Sequence, residues 1–159
     1  MVNIVLVEPE IPQNAGNIVR TCSAINAKLY MVKPLSFIMD DKHFKRAGMD
    51  YLDFANVSVV DSFQEILDAN PNAEFFYAST KSQKVYSEVD YSDMDEVFLL
   101  FGKETKGLPE DILLKYIDKA IRIKTDGFKY SIYNYNYQNN CYYLYTKHQF
   151  VNYFLINLS

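Results

Sequence analysis

Apolar residues in this chain fall into short continuous blocks, separated by stretches in which they recur every three or four positions. The block at residues 3–7 is bounded by Glu8, Pro9 and Pro12 and predicts a buried strand. Beyond it, Ile18, Val19, Cys22 and Ile25 fall at helical spacing, and Pro12 sits where a first turn has no use for its missing N–H, so a helix is expected over 12–26. A second strand is expected at 29–32, a short basic helix at 40–47 ended by Gly48, and a third strand at 57–60. Asp61 or Ser62 then caps a helix through Leu67, with Glu65 as the capping-box partner of Ser62. Asn70-Pro71-Asn72 marks a turn before continuous apolar runs at 75–78 and 97–101. Pro109 opens a helix with Ile112, Leu113 and Tyr116 on its inner face, and 120–123 reads as a sixth strand. Strands that are apolar on both faces belong in a parallel sheet covered by helices. The alternation therefore predicts an α/β fold of about six strands.

Composition narrows this picture. With 159 residues, 49% of them hydrophobic, the chain fits a single domain with a proper core. Cys22 and Cys141 are too few for a disulfide framework and lack metal-ligand spacing, and the chain opens on a strand rather than a leader, so a reducing cytoplasm is the expected location. No stretch reaches the roughly 18 to 20 apolar residues that cross a bilayer, so no membrane partner is expected. His43 and His148 are isolated, so no metal site is expected either. A net charge of −4 argues against coating a nucleic acid by bulk electrostatics. A local patch is the alternative: Lys42, Lys45 and Arg46 in the basic helix, with Arg20, Lys103 and Lys106. An ordinary solvated surface explains the same charges.

Two segments carry candidate chemistry. In Glu8-Pro9-Glu10-Ile11-Pro12-Gln13-Asn14-Ala15-Gly16-Asn17-Ile18-Val19-Arg20 a strand end runs into a helix whose first turns bear Asn14, Gly16, Asn17 and Arg20. Small and amide side chains there let a ligand or a second backbone come close, and Arg20 lies a turn beyond Asn17. A capped helix with a surface arginine is the plainer reading. The other segment, Phe101-Gly102-Lys103-Glu104-Thr105-Lys106-Gly107-Leu108-Pro109, follows a buried strand and precedes a helix. In open parallel sheets ligands sit beyond the carboxyl ends of strands, which makes this a candidate cofactor loop, or else a simple connection. Its spacing is not that of a phosphate-binding loop, and no nucleophile-elbow motif supports a hydrolase.

Together these segments, with Asp40-Asp41-Lys42-His43-Phe44-Lys45-Arg46-Ala47-Gly48-Met49-Asp50-Tyr51 and Ile121-Arg122-Ile123, resemble the SPOUT methyltransferases, specifically the short tRNA 2′-O-methyltransferases acting at the wobble nucleotide. The resemblance covers roughly residues 1–127. It implies a parallel-sheet SPOUT fold with a C-terminal trefoil knot, S-adenosylmethionine as cofactor, the tRNA anticodon stem-loop as substrate, and a homodimer. It also implies roles. Ala78, Gly102, Ile123 and Ser131 fall on cofactor-binding positions and Arg20 on the catalytic arginine. Asn14, Asn17, Glu104 and Asn136 fall on positions that shape the site, and Lys42, Lys45 and Arg46 on an RNA-binding stretch. Methylation of the 2′-hydroxyl of cytidine or uridine 34 is the implied activity. A catalytically silent tRNA-binding remnant, or a generic α/β nucleotide-binding module, is the alternative.

The tail departs from the family. Its third motif, Ser-x-Asn-Leu-Ser-Asn, is represented by Ser131-Ile132-Tyr133-Asn134-Tyr135-Asn136, with Tyr133 and Tyr135 in place of small polar residues and Tyr130 where an arginine is usual. From Phe128 to Ser159 there is no Gly, Ala, Pro, Arg, Asp or Glu, yet there are eight Tyr and six Asn. Asn is a weak helix former and each buried Tyr hydroxyl needs a partner. The whole chain is read as one domain whose residues 128–159 are either divergent or the product of a shifted reading frame.

Overall fold

The computed structural model describes residues 1–39 and 56–123. Six strands form one sheet in the order β3-β2-β1-β5-β4-β6, and every pairing is parallel. The strands are β1 (Val2–Val7), β2 (Lys28–Val32), β3 (Asn56–Val60), β4 (Glu74–Ala78), β5 (Val97–Phe101) and β6 (Ala120–Ile121). Among the described residues three α-helices, α1 (Pro12–Ala24), α2 (Phe63–Ala69) and α3 (Glu110–Lys115), lie between them.

The period of two along β1 shows why the sheet needs cover on both sides. Val2, Ile4 and Leu6 join the cluster formed with Ala15, Ile18, Val19 and Cys22 of α1, while Val5 and Val7 join the one formed with Phe63, Ile66 and Leu113 of α2 and α3. All six residues of β1 are buried, as are all five of β5. Only Asn3 is polar among them; its Nδ2 donates to Glu96 Oε1 at 2.9 Å.

Predicted and observed elements differ in instructive places. Helix α1 stops at Ala24, two residues short of the expected end, because Asn26 takes a left-handed conformation with φ 54° and the Ala27 N–H closes back on Cys22 O at 2.9 Å. Ser62 and Glu65 form the expected capping box: the Ser62 N–H and Oγ both donate to Glu65 Oε1 at 3.0 Å. Leu113 is buried, and Ile112 and Tyr116 pack against the same cluster, which bears out the expected inner face of α3. Strand β6 is shorter than the expected 120–123, since its neighbour β4 ends at Ala78. Beyond Ile121 the chain pairs with the loop after β4, where the Arg122 N–H donates to Lys84 O at 2.7 Å and the Tyr86 N–H to Arg122 O at 3.0 Å. The basic helix expected at 40–47, the tail and any knot built with it lie outside the described residues. Among the described residues no helix is long and apolar enough to cross a membrane.

Cys22 illustrates how closely α1 seats on the sheet. Burial pushes its thiol up to about 12. Alkylation at pH 8 is therefore expected to spare Cys22 in the folded protein and to modify it fully in denaturant, read by mass spectrometry of its peptide. The raised value also carries a sign: the unfolded chain releases the proton first, so this contribution to stability is complete below about 8.5, the free-thiol value, and is lost as pH rises toward 12.

Candidate active site

The sheet register brings one end of four strands level. Leu6 of β1 pairs with Phe101 of β5, Tyr77 of β4 with Leu100, and Ala78 with Ile121. Residues just beyond those pairs, Glu8, Gly102, Ser79 and Arg122, therefore share one rim. The connection from β1 runs toward β2 and β3, while that from β5 runs past β4 to β6. The chain thus turns opposite ways at the boundary between β1 and β5, the topological switch point at which ligands of open α/β sheets bind.

At this point the two candidate segments are laced together by carboxylates. The Glu10 and Ile11 N–H groups donate to Glu104 Oε2 and Oε1 at 2.9 and 3.1 Å, and Asn14 Nδ2 donates to Oε1 at 3.3 Å. In return, the Thr105 N–H and Oγ1 donate to Glu10 Oε2 at 3.2 and 2.7 Å. Lys103 Nζ lies 2.6 Å from Glu8 Oε2, and that bond holds the ammonium above the ordinary lysine value. Helix α1 has no side-chain cap of its own at Ile11. Glu104, from a loop some ninety residues away, supplies negative charge and acceptors at that helix N-terminus instead. Replacing Glu104 with Ala is expected to lower stability by about 1 to 2 kcal/mol, the usual cost of losing an N-terminal cap. Chemical denaturation checks this, and a Glu104→Gln variant, which keeps an acceptor, should lose less.

The loop itself is tight. Lys103 and Gly107 exchange backbone hydrogen bonds of 3.0 and 2.8 Å. Gly107 has φ 74°, the left-handed region that favours glycine. Gly102 is required for a different reason: a Cβ there would lie 2.0 Å from Gly107 C and Leu108 N. Glu8 is also left-handed, with φ 53°, an uncommon state for a side chain of its size, at the place where the chain leaves β1 for the site.

Seven of the residues expected from sequence to form the site lie among the described ones. Asn14 and Glu104 are in contact, and Asn17 and Arg20 follow Asn14 along α1. Ala78, Gly102 and Ile123 stand at the ends of the adjacent strands β4, β5 and β6, where Ala78 and Ile123 pack partly buried on the α1-side cluster. Arg20 is exposed, which suits a group that meets an incoming substrate. Lys42, Lys45, Arg46, Ser131 and Asn136 lie outside the described residues. Glu8, Glu10 and Thr105 escaped sequence reasoning as site residues. Two acids immediately after a buried strand were a visible signal, but their partners ninety residues away were not. Among the described residues no cluster of three or more His, Cys, Asp or Glu could hold a metal ion.

A parallel sheet with a glycine-bearing loop clasped to a helix N-terminus at its switch point describes a small-molecule-binding α/β enzyme fold. A profile of the SpoU rRNA Methylase family matches residues 1–134, and the chain belongs to that family. A relative from Escherichia coli (strain K12), a tRNA (cytidine(34)-2′-O)-methyltransferase, is 43% identical over 113 residues, covering 71% of each chain. A solved structure described as giving insight into 2-OH methylation of C/U34 on tRNA superposes with a TM-score of 0.73 at 36% identity, covering 80% of this chain and 82% of that one. The fold is shared more widely. The SpoU methyltransferase AviRb from Streptomyces viridochromogenes, solved in complex with the cofactor AdoMet, has a TM-score of 0.71 at 19% identity, covering 98% of this chain and 58% of that chain.

Proposed function

We propose that this chain transfers a methyl group from S-adenosylmethionine to the ribose 2′-hydroxyl of the wobble nucleotide, cytidine or uridine 34, in tRNA. The observation that carries the reading is the clasp of Glu10 and Glu104, which holds the Gly102 loop against the N-terminus of the helix bearing Arg20. It combines with membership of a methylase family whose E. coli relative bears that activity in its name.

The described residues fit the methyl donor. Strands β5, β4 and β6 end on one rim with Gly102 and the small or aliphatic side chains of Ala78 and Ile123, where backbone groups beyond the strand ends can meet a flat heterocycle. Ala78, Gly102 and Ile123 would hold the donor, joined by Ser131. When bound, S-adenosylmethionine supplies an electrophilic methyl carbon on a sulfonium. The protein's task is alignment, which can contribute much of the rate when the acceptor oxygen is held in line. Arg20 orients the 2′-hydroxyl and a neighbouring phosphate with its fork of N–H donors, while a guanidinium holds its proton too tightly to be a good base. Asn14 and Glu104 keep that helix and loop in place, and Asn17 and Asn136 are assigned to the same site. Lys42, Lys45 and Arg46 contact the phosphates of the anticodon stem-loop. The working form is a cytoplasmic homodimer, for which sedimentation should give twice the mass of the chain.

The decisive experiment is transfer of tritium-labelled methyl groups from S-adenosylmethionine to unmodified tRNA, with the product mapped to nucleotide 34. Label at another nucleotide, or none, would sink the assignment. A second reading has its own support in the tail, where the rings of Tyr133 and Tyr135 replace small side chains in the third motif and would overpack a site built for them. On that reading the chain is a silent remnant that keeps some tRNA affinity but binds no S-adenosylmethionine, and calorimetry separates the two. We infer either divergence or a frame change near Phe128 for the tail; a frame change would produce this composition, because AU-rich codons read out of frame yield Tyr, Asn, Ile and Leu. Sequencing the gene is expected to find Ser-x-Asn-Leu-Ser-Asn in another frame. Its absence from every frame would assign the tail to divergence.

A further inference from the structure

We propose that Lys81, Lys84 and Arg122 form a preorganised phosphate-binding surface at the β4/β6 edge, which receives the backbone of the RNA substrate beside the methyl-transfer site. This rests on the functional reading above and adds a contact surface to it. The cations stand on one rigid piece of backbone. Arg122 lies between Ile121 and Ile123 at the end of β6, and its N–H donates to Lys84 O at 2.7 Å. Its carbonyl accepts the Tyr86 N–H at 3.0 Å, which fixes the Lys84 and Arg122 backbones side by side.

The loop that carries the two lysines is pinned from within. Ser82 is buried; its Oγ donates to Ala120 O at 2.7 Å and accepts the Lys84 N–H at 3.2 Å. The Ser79 N–H donates to Ile121 O at 2.9 Å, and Ser79 Oγ accepts the Lys81 N–H at 3.2 Å. A loop bonded to β6 at both ends leaves no backbone to order on binding, so only the side chains of its lysines need to settle on a ligand.

Charge on this edge is one-sided. From Ser79 to Ser87 the sequence Ser-Thr-Lys-Ser-Gln-Lys-Val-Tyr-Ser has two lysines, five hydroxyl-bearing serine, threonine and tyrosine residues, and no acid, in a chain of net charge −4. Lys81, Lys84 and Arg122 are exposed. Among the described residues no ion pair engages Lys84 or Arg122. Lys81 meets only the well-exposed Glu110 at 3.9 Å, a pair too long and too wet to hold it. The nearest carboxylate along the loop, Glu88, accepts the Val85 N–H at 2.9 Å, so one negative charge stands beside the three cations and the edge keeps a positive excess. Hydroxyls and exposed cations on a fixed backbone are groups that bind phosphate oxygens, and such contacts set register on a nucleic acid rather than sequence.

The test uses the full chain, an unmodified tRNA transcript and a series of KCl concentrations. With Lys81, Lys84 and Arg122 all changed to Gln, tRNA affinity near 0.1 M salt is expected to fall by about 10- to 100-fold, and the slope of log K against log salt to flatten by up to about 0.9 per lost contact. S-adenosylmethionine affinity should stay within twofold of wild type, and Lys81→Arg with Lys84→Arg should bind tRNA as wild type does. Unchanged tRNA affinity and slope in the triple variant, with wild-type binding intact, overturns this surface and leaves the methyltransferase reading standing. A wild-type chain that binds no tRNA overturns both. If the triple variant also melts early, Lys84→Gln alone decides, since the structural bonds of Lys84 are made by its backbone: a threefold or greater loss of tRNA affinity supports the proposal and none overturns it. Displacement of tRNA by polyaspartate at matched charge as effectively as by a second tRNA would show an acidic protein to be the better partner, and would also overturn it.

Discussion

Replacing Gly102 with alanine is expected to slow methyl transfer by about a hundredfold. The added Cβ would stand 2.0 Å from Gly107 C and Leu108 N and 2.2 Å from Gly107 O, and all three are backbone atoms that no rotamer change can remove. The loop must open, and with it the exchange of hydrogen bonds between Lys103 and Gly107. Overpacking of this kind costs about 1 to 3 kcal/mol. In a chain of this length each kcal/mol lowers Tm by roughly 2 to 4 °C, so a fall of several degrees is expected. Activity should suffer more, because a displacement of about 1 Å at a reacting centre costs on the order of a hundredfold in rate. Gly107→Ala is the matched control. There a Cβ meets nothing within 4 Å, and only the left-handed φ of 74° opposes it, at a cost of about 1 to 2 kcal/mol. Wild-type turnover and affinity for S-adenosylmethionine in Gly102→Ala would remove this loop from the site.

Replacing Arg20 with alanine is expected to separate chemistry from cofactor binding. Arg20 is exposed on α1, while the positions assigned to the methyl donor stand at the ends of β4, β5 and β6. The variant should therefore lose turnover by about a hundred- to a thousandfold, the range for removing one oriented donor or proton-transfer group. Its affinity for S-adenosylmethionine by calorimetry should stay near that of wild type. Arg20→Lys should recover little, because a point charge does not reproduce the planar fork of a guanidinium. Equal loss of turnover and of cofactor affinity would place Arg20 in the donor pocket and refute the role given to it.

How much of this was legible in the sequence depended on the range of the interaction concerned. Ser62 and Glu65 are three residues apart, and their capping box could be read directly. Asn3 apart, the runs in β1 and β5 are apolar at every second position and the next, and burial on both faces follows. The early end of α1 was harder: Asn26 alone hints at a left-handed turn, and the bond from Ala27 to Cys22 shows it was taken. The fate of β6 beyond Ile121 depended on where β4 stopped, which no local pattern reveals. At the site, two motifs could be recognised and their residues assigned, yet Glu10 and Glu104 carried no mark of being each other's anchors.

By itself the sequence determined the elements, their apolar faces and the two motifs that hold the candidate chemistry, since helix period, strand period and caps are set by neighbours a few residues apart. Tertiary structure alone decided the strand order that creates the switch point between β1 and β5, and the carboxylate clasp that closes it. Those depend on contacts between residues ninety positions apart. Such contacts are specified by the packing of the whole sheet, because a carboxylate finds its N–H partners only once two distant strands have been set in register.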